Sequence, residues 1–383
     1  VASVARAVQT YVASYATTAS ASPRPSGPSE APADATAAAT GLDEALDEAR
    51  RQLERGCAQE DLLAQLTTAL GGVTAEGAVA RAVLARLTAN LTGTTGTART
   101  VDVAAGDDLA AVVATAAPGA TLDLAAGRYP LAETLVLLDG VTLAGVGRDA
   151  TTLVSAAPDA AVLVLAPDLV GFRDLTITRD EATTGTVLVA GAATTVSVER
   201  ATLSGGRADA DSRGGAGIDL AGADTGASPG RTTVELTDVV LQGNAWAGLA
   251  VGGGHRVSVV DSTFRRNGEC GACFLGVGEG SIERSRFTGN RIGVAVVGGA
   301  TPVLAGNRIS GGSVGIQVGG TAAPTITDNR LDSTGKAALI YTDTAAGVLR
   351  GTTCTGVEVG IVLAAKALPS LHANDCTLAR AAK

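Results

Sequence analysis

Apolar positions follow two different periods along this chain, one helical and one strand-like. Leu42, Ala45, Leu46, Ala49 and Leu53 form one stripe at helical spacing. Leu62, Leu63, Leu66 and Leu70 form a second, and Val79, Val83, Leu84, Leu87 and Leu91 a third. Gly56 and the pair Gly71 and Gly72 punctuate them as helix stops. A bundle of about 50 residues is marginal alone, so these stripes predict a helical layer packed on the domain behind it. From Thr100 the period becomes two. A strand at Thr100–Val103 precedes a short helix capped by Asp107 or Asp108, with Leu109, Val112 and Val113 facing inward.

The strand-like region repeats. Gly248, Gly271, Gly293, Gly315, Ala338 and Gly360 follow one another at steps of 22 or 23, most of them opening a short apolar strand. Weaker marks at Thr134, Ala161, Gly185 and Gly217 extend the series to ten, with steps lengthened by insertions. In phase with them runs an inward column of Leu236, Val259, Ile282, Leu304, Ile326 and Leu349. A second column contains Leu241, Phe264, Phe287, Ile309, Leu331 and Cys354. Period-two alternation turns the intervening side chains outward. One strand-and-turn unit stacked on its own copies at this interval is a parallel β-helix. The handedness of parallel crossovers makes it right-handed.

The expected fold is therefore all-β: a right-handed single-stranded parallel β-helix of about ten coils, with an N-terminal α-helical segment. The organisation read from composition is a low-complexity Ser/Pro/Ala/Thr segment over 1–40, helices over 41–95, and the β-helix over 98–383.

The segments AGDDLAAVVATAAPGATLDLAAGRYPL and LDGVTLAGVGRDATTL resemble the entry cap of bacterial right-handed β-helix proteins of the pectin-lyase-like superfamily. The segment FRRNGECGACFLGVGEGSIERSRFTGNRIGVAVVGG resembles their generic coil. The resemblance covers about 100–380 and implies the fold. That superfamily includes lyases, hydrolases, epimerases, phage tailspikes and non-catalytic modules, so it does not imply one activity.

Charge and composition narrow the partners. A formal charge of −9 with no basic stripe argues against a nucleic-acid backbone. No run of 18 apolar residues predicts a membrane span. The first twenty residues lack a continuous apolar stretch, which tilts the expected compartment toward the cytoplasm. The chain opens on Val1 without any methionine, so it is either a non-AUG start or an internal fragment. Cys354 and Cys376, 22 apart, read as small apolar residues stacked on successive coils. Cys270-Gly-Ala-Cys273 places Cys273 on the outward phase of its strand and Cys270 in the preceding turn. That pair is a surface disulfide, a labile thiol pair or incidental; no matching ligands make it a zinc site.

Candidate chemistry concentrates in one region. Asn244, Asn267 and Asn290 recur after the second inward column and read as a structural ladder holding a bend. Arg200, Asp238, Asp261, Arg284 and Asp328 read as a solvated charge column; Asp238 beside Asp261 is the nearest thing to a calcium pair. Two insertions, 207–213 and 222–230, flank the strand Gly217–Leu220. Stacking by register brings the first beside Asp180 and Glu181 on one side and Asn244-Ala-Trp246 on the other. Asp180, Asp209 and Asp211 are the candidate catalytic carboxylates, with Glu181, Arg207, Arg213, Asp219 and Trp246 as ligand contacts. Carboxylates serve as acid and base or hold calcium, arginine grips a uronate, and an indole face stacks on sugar. No metal site is complete, and calcium is the one cofactor this set suits.

The outward column Asp219, Ala250, Cys273, Ala295, Gln317, Ile340 and Val362 turns apolar toward the C-terminus, unlike a polysaccharide cleft. Such a face calls for cover by the N-terminal helices or by another subunit, and a strand edge after Leu378 adds to the expectation of homo-oligomers. Polygalacturonase-type and alginate-epimerase-type motifs are missing. The leading expectation is a non-catalytic binding or scaffold β-helix with a polysaccharide or protein partner. The alternative is a polysaccharide lyase or glycoside hydrolase using the carboxylates of the inserted loops around 207–230.

Overall fold

The structure, a computed structural model, describes residues 45–52, 55, 59–69, 76–191, 194–210, 214–220, 231–332 and 334–380. The low-complexity segment, the glycine helix stops, Leu42, Leu53 and Leu70 lie outside these residues. Three parallel sheets wind into a solenoid. Sheet A has 12 strands, from Thr100–Val103 to Ser370–His372; sheet B has 10, from Gly127–Leu131 to Thr353–Thr355; sheet C has 11, from Leu135–Leu137 to Leu378–Arg380. The chain is thus a right-handed β-helix of about eleven turns, one more than the repeat count from sequence gives.

One coil shows how sequence sets the path. Strand Thr233–Thr237 of sheet A passes through two turn residues into Val240–Gln242 of sheet B, and then into Ala247–Val251 of sheet C. Leu236, Val259, Ile282, Leu304, Ile326 and Leu349 are direct register partners, as are Leu241, Phe264, Phe287, Ile309, Leu331 and Cys354. Their burial makes the dry interior, and Phe264 and Phe287 stack in it with centroids 4.4 Å apart.

The repeating glycine marks a close approach. A Cβ on Gly271 would lie 2.5 Å from Phe287 Cδ1 and 2.7 Å from the carbonyl oxygen of Gly293. Gly248 and Gly293 face the same obstruction from the next coil. The column continues upstream through Gly217, Val187, Ala161 and Thr134. Gly185 is therefore not one of the marks. The neighbouring insertions displace the count by two, and Gly185 instead pairs with Arg207.

From Asp174 onward each A-to-B turn has two residues with separate duties. The first adopts a left-handed conformation at Asp174, Arg200, Asp238, Asp261, Arg284 and Asp328, with φ between 45 and 57°. The charge column read from sequence is these residues without Asp174, and three opposite-sign pairs hold five of the six. Arg284 lies 3.0 Å from Asp261, Arg200 2.7 Å from Asp174, and Arg148 2.9 Å from Asp238. Asp238 and Asp261 are thus each matched with an arginine. The second turn residue is buried and forms a ladder along the axis. Val239 N–H donates to Ser262 Oγ, Ser262 N–H to Ser285 Oγ, Ser285 N–H to Asn307 Oδ1, and Asn307 Nδ2 to Asn329 Oδ1.

The helices sit on the outer face of sheet C. Residues 45–52 are helical, followed by α1 (Gln59–Ala69) and α2 (Glu76–Thr92). Leu62, Leu66, Val79, Val83 and Leu87 pack with Val136, Leu138, Leu163 and Leu165 of the first coils. They cover the start of the outward column, where Val136, Leu163 and Val189 are register partners. A shorter helix, α3 (Leu109–Thr115), is capped by Asp108, whose carboxylate accepts the N–H groups of Ala110 and Ala111.

Both cysteine readings change. Cys270 lies within strand Cys270–Phe274, not in the turn before it, and is bonded to Cys273. Both side chains are buried in an apolar cluster on the outer side of sheet C, so they are not a surface pair. Cys354 and Cys376 are bonded across adjacent coils and not merely stacked.

Candidate functional site

The B-to-C turns hold the candidate site, and buried amides fix them. Asn244 Nδ2 donates to Asn267 Oδ1 at 3.0 Å, and Asn267 Nδ2 to Asn290 Oδ1 at 3.0 Å. Each Oδ1 also accepts the backbone N–H of the preceding asparagine, at 3.2 and 3.0 Å. Asn244 Oδ1 extends the ladder to Gly206 N–H at 2.9 Å. The amides are nearly inaccessible, so they set the turn and leave its outer residues available for contact.

On that frame the insertion-flanked coil is tied to both neighbours by main-chain bonds. Gly185 N–H donates to Arg207 O at 2.6 Å and Arg207 N–H returns to Gly185 O at 3.0 Å. Across the loop, Ala208 bridges Gly214. On the far side, Ala245 N–H donates to Gly206 O at 2.8 Å and Trp246 N–H to Gly215 O at 2.9 Å. The segments carrying Asp180, Arg207 and Trp246 therefore occupy successive coils on one flank.

Side chains on this flank differ in what holds them. Asp180 and Glu181 are exposed, and Asp180 accepts its own turn's Ala182 N–H at 2.9 Å. Arg207 is exposed, Asp209 half-buried, and Trp246 half-buried against the apolar cluster of Ala247, Ala250 and Cys273. Asp219 lies half-buried on sheet C between Val189 and Ala250. Asp211, Arg213 and the second insertion, 222–230, lie outside the described residues. Among the described residues no group of three or more His, Cys, Asp or Glu side chains is gathered for a metal ion. The described helices include none long and apolar enough to cross a membrane.

Arg179, which sequence reasoning passed over, underlies the turn. It is buried, donates to Thr186 O at 3.1 Å and Thr183 Oγ1 at 3.4 Å, and reaches the carbonyls of Ala157 and Thr184. Burial pulls its guanidinium below the ordinary arginine value, with the charge of Asp159 opposing. It satisfies the carbonyls of Thr184 and Thr186 at the end of this turn and that of Ala157 on the neighbouring coil. Its place as the last residue of strand Thr176–Arg179, just before the polar turn Asp180–Gly185, was the available clue.

Sheet C's outer column otherwise offers little polar surface. Ala250, Cys273 and Ala295 on it are buried, and Gln317, Ile340 and Val362 half-buried.

Comparison with known proteins agrees with this architecture. Residues 216–377 match the family described as right-handed β-helix region. The three parallel sheets and this match give the chain the right-handed parallel β-helix fold. Among solved structures, pectate lyase Pel9A is similar with a TM-score of 0.51 at 14% identity, over 76% of this chain and 80% of that one. The PL6 family alginate lyase AlyGC gives a TM-score of 0.48 at 14% identity, over 74% of this chain and 40% of that one. The A-module of Azotobacter vinelandii mannuronan C-5 epimerase AlgE4 gives 0.45 at 15% identity, over 69% and 89%. At 14% identity the likeness to pectate lyase Pel9A is one of fold. No curated protein matches the sequence.

Proposed function

We propose that this protein is a carbohydrate-binding β-helix that holds a glycan on the flank formed by Arg207, Asp180, Glu181 and Trp246, as a binding scaffold and not as a catalyst. The observation that carries this reading is the pair of main-chain links, Gly185 to Arg207 and Gly215 to Trp246. Through them the Trp246 indole and the exposed Arg207 guanidinium sit on neighbouring turns of the solenoid, and loops on rigid scaffolds are where binding residues gather. The similarity in fold to pectate lyase Pel9A supports a carbohydrate ligand. Asp211 and Arg213 belong to the same inserted loop and are proposed as further contacts. The two disulfides suit an oxidising compartment.

Cleavage at the same coil is the rival reading, favoured by half-buried Asp219 facing outward beside the insertion. A panel of neutral and acidic polysaccharides separates the two. Binding measured by affinity electrophoresis is expected to weaken at least tenfold on Trp246→Ala and on Arg207→Ala, the second variant guarding against a packing defect in the first. Unsaturated products or new reducing ends, with or without calcium, that vanish in Asp219→Asn or Asp180→Asn would replace binding by catalysis.

A further inference from the structure

The outer face of sheet B carries a line of arginines that the flank above does not include. Register pairs Arg286 with Arg308 and Arg308 with Arg330, so three guanidinium side chains leave consecutive strands from the same position. Arg265 stands one strand earlier in the adjoining outward column, opposite Thr288. All four are exposed. Strands in a sheet lie about 4.8 Å apart, so the charges recur at that interval along the axis.

Like charges stacked this closely repel, and the local counter-charge is thin. Every other outward position of sheet B, from Thr152 and Val154 to Thr353 and Thr355, is uncharged apart from Arg128 and Asp332. Asp332 lies 3.0 Å from Arg308 and 2.9 Å from Arg330, so one carboxylate serves two arginines. Arg265 donates to the neutral Gln242 amide at 2.5 Å. The Arg286 guanidinium makes no ion pair or hydrogen bond among the described residues, although its backbone N–H donates to Ser262 O at 2.8 Å. Beside this line the B-to-C turns add Arg266, Arg291 and Lys336, with Glu269 held by Arg291, while the A-to-B turns on the other side carry Asp328 and Asp261, the latter paired with Arg284. A chain of net charge −9 thus concentrates cations along one narrow strip.

We infer that this strip is a binding site for a linear anionic polysaccharide lying along the solenoid axis, with one carboxylate per sugar meeting successive guanidiniums. Arginine suits this use because its planar fork grips a carboxylate bidentately. A ladder fixed by β-sheet spacing selects a ligand whose charges repeat at nearly the length of a pyranose ring. The rows of Thr and Ser on the same face, Thr263, Thr288 and Ser310, offer hydroxyl partners beside the charges. The strip is separate from the Trp246 flank and does not rest on the function proposed for it.

The test uses the full chain and isothermal titration with polygalacturonate, dextran as a neutral polymer, and single-stranded oligothymidylate as a phosphate polymer. Polygalacturonate is expected to bind, dextran to leave the strip unengaged, and Arg286→Glu with Arg265→Glu to weaken polygalacturonate binding at least tenfold. Neither arginine pairs with an acid in the fold, so these substitutions keep the coil intact, which circular dichroism checks. Arg128→Glu, on the same sheet but outside both the strip and the flank, should leave this titration unchanged, whereas polygalacturonate binding lost in Trp246→Ala and kept in Arg286→Glu with Arg265→Glu would assign the polymer to the flank and overturn the strip. Equal affinity for oligothymidylate, or polygalacturonate binding indifferent to Arg286→Glu, overturns the assignment.

Discussion

Arg86 on α2 places its guanidinium 2.8 Å from the Asp139 carboxylate, both side chains largely withdrawn from solvent at 4 and 14% exposure. The same guanidinium donates to the carbonyls of Ala114 and Ala116 at the end of α3, at 3.1 and 2.7 Å. One side chain thus joins the helical layer, the entry helix and a turn of the first coils. Removing one partner of a buried pair strands the other charge, which costs about 3 kcal/mol. Asp139→Ala is therefore expected to release α1 and α2 before the solenoid melts. Limited proteolysis should cut within 59–92 sooner in the variant; an unaltered cleavage pattern would show that apolar packing alone holds the layer.

Gly271→Ala should be far more disruptive than its one added methyl suggests. The new Cβ meets an aromatic ring inside the core and a backbone oxygen of the next coil, and neither can swing away. Overpacking of this kind costs about 3 kcal/mol. Gly243→Ala is the control, because nothing lies within 4 Å and only its φ of 61° opposes the change. Its expected cost is about 1 kcal/mol. Urea unfolding of the two variants should keep that order.

The asparagine ladder makes a related prediction with different chemistry. Asn267→Ala removes the acceptor for Asn244 N–H and Nδ2 and the donor to Leu241 O. Each buried polar group left without a partner costs roughly 1–3 kcal/mol, so a loss of about 3 kcal/mol is expected after partial relaxation. Hydrogen exchange should report it at the Asn244 amide in particular. Protection there equal to wild type would mean that water replaces the lost side chain.

These ladders also show why the fold was legible and the site less so. Leu236 to Leu349 and Leu241 to Cys354 repeat because every coil needs an apolar residue at the same point of the interior. Asn244, Asn267 and Asn290 were visible because one residue type recurs. The parallel ladder of Ser262, Ser285, Asn307 and Asn329 mixes residue types that perform one hydrogen-bonding task, and so escapes a search for identical letters. Gly185 was misplaced because an insertion broke the count, and the face of Arg286, Arg308 and Arg330 was overlooked because outward positions carry no burial signal. That the first insertion lies between the Asp180–Glu181 turn and Trp246 followed from register alone. How the side chains of that flank are oriented depends on loop packing that period and composition do not encode.

Acid should weaken the A-to-B turns through Asp174. Two hydrogen bonds from Arg200, both 2.7 Å, hold its carboxyl below the ordinary range, with desolvation opposing. A carboxyl depressed on folding contributes stability that is complete above its unfolded value of about 3.9 and lost as pH falls through the folded value. Arg200 is 48% exposed, so solvent screening limits the pair to under about 1 kcal/mol. Asp174→Asn should narrow the difference between urea midpoints at pH 7 and pH 3 by that small amount. An equal pH response in both proteins would assign the acid sensitivity elsewhere.

The last prediction separates two disulfides by the chain each encloses. Cys354 and Cys376 are 22 residues apart, so their bond closes one whole coil, whereas Cys270 and Cys273 are three apart on one strand. In the chain-entropy account a closed loop of that longer size stabilises by about 3 kcal/mol, and the stabilisation shrinks with the logarithm of loop length. Neighbouring coils contact chiefly each other in a solenoid, so the effect of the longer bridge should be local. Replacing Cys354 and Cys376 together by alanine is therefore expected to raise hydrogen exchange from about residue 337 onward while strands near Val257 stay protected. Replacing Cys270 and Cys273 together should change stability less through the unfolded chain and more through the loss of two buried side chains packed near Trp246. If both double variants lost protection uniformly along the solenoid, the coils would be unfolding as one unit and the local account of the terminal bridge would be wrong.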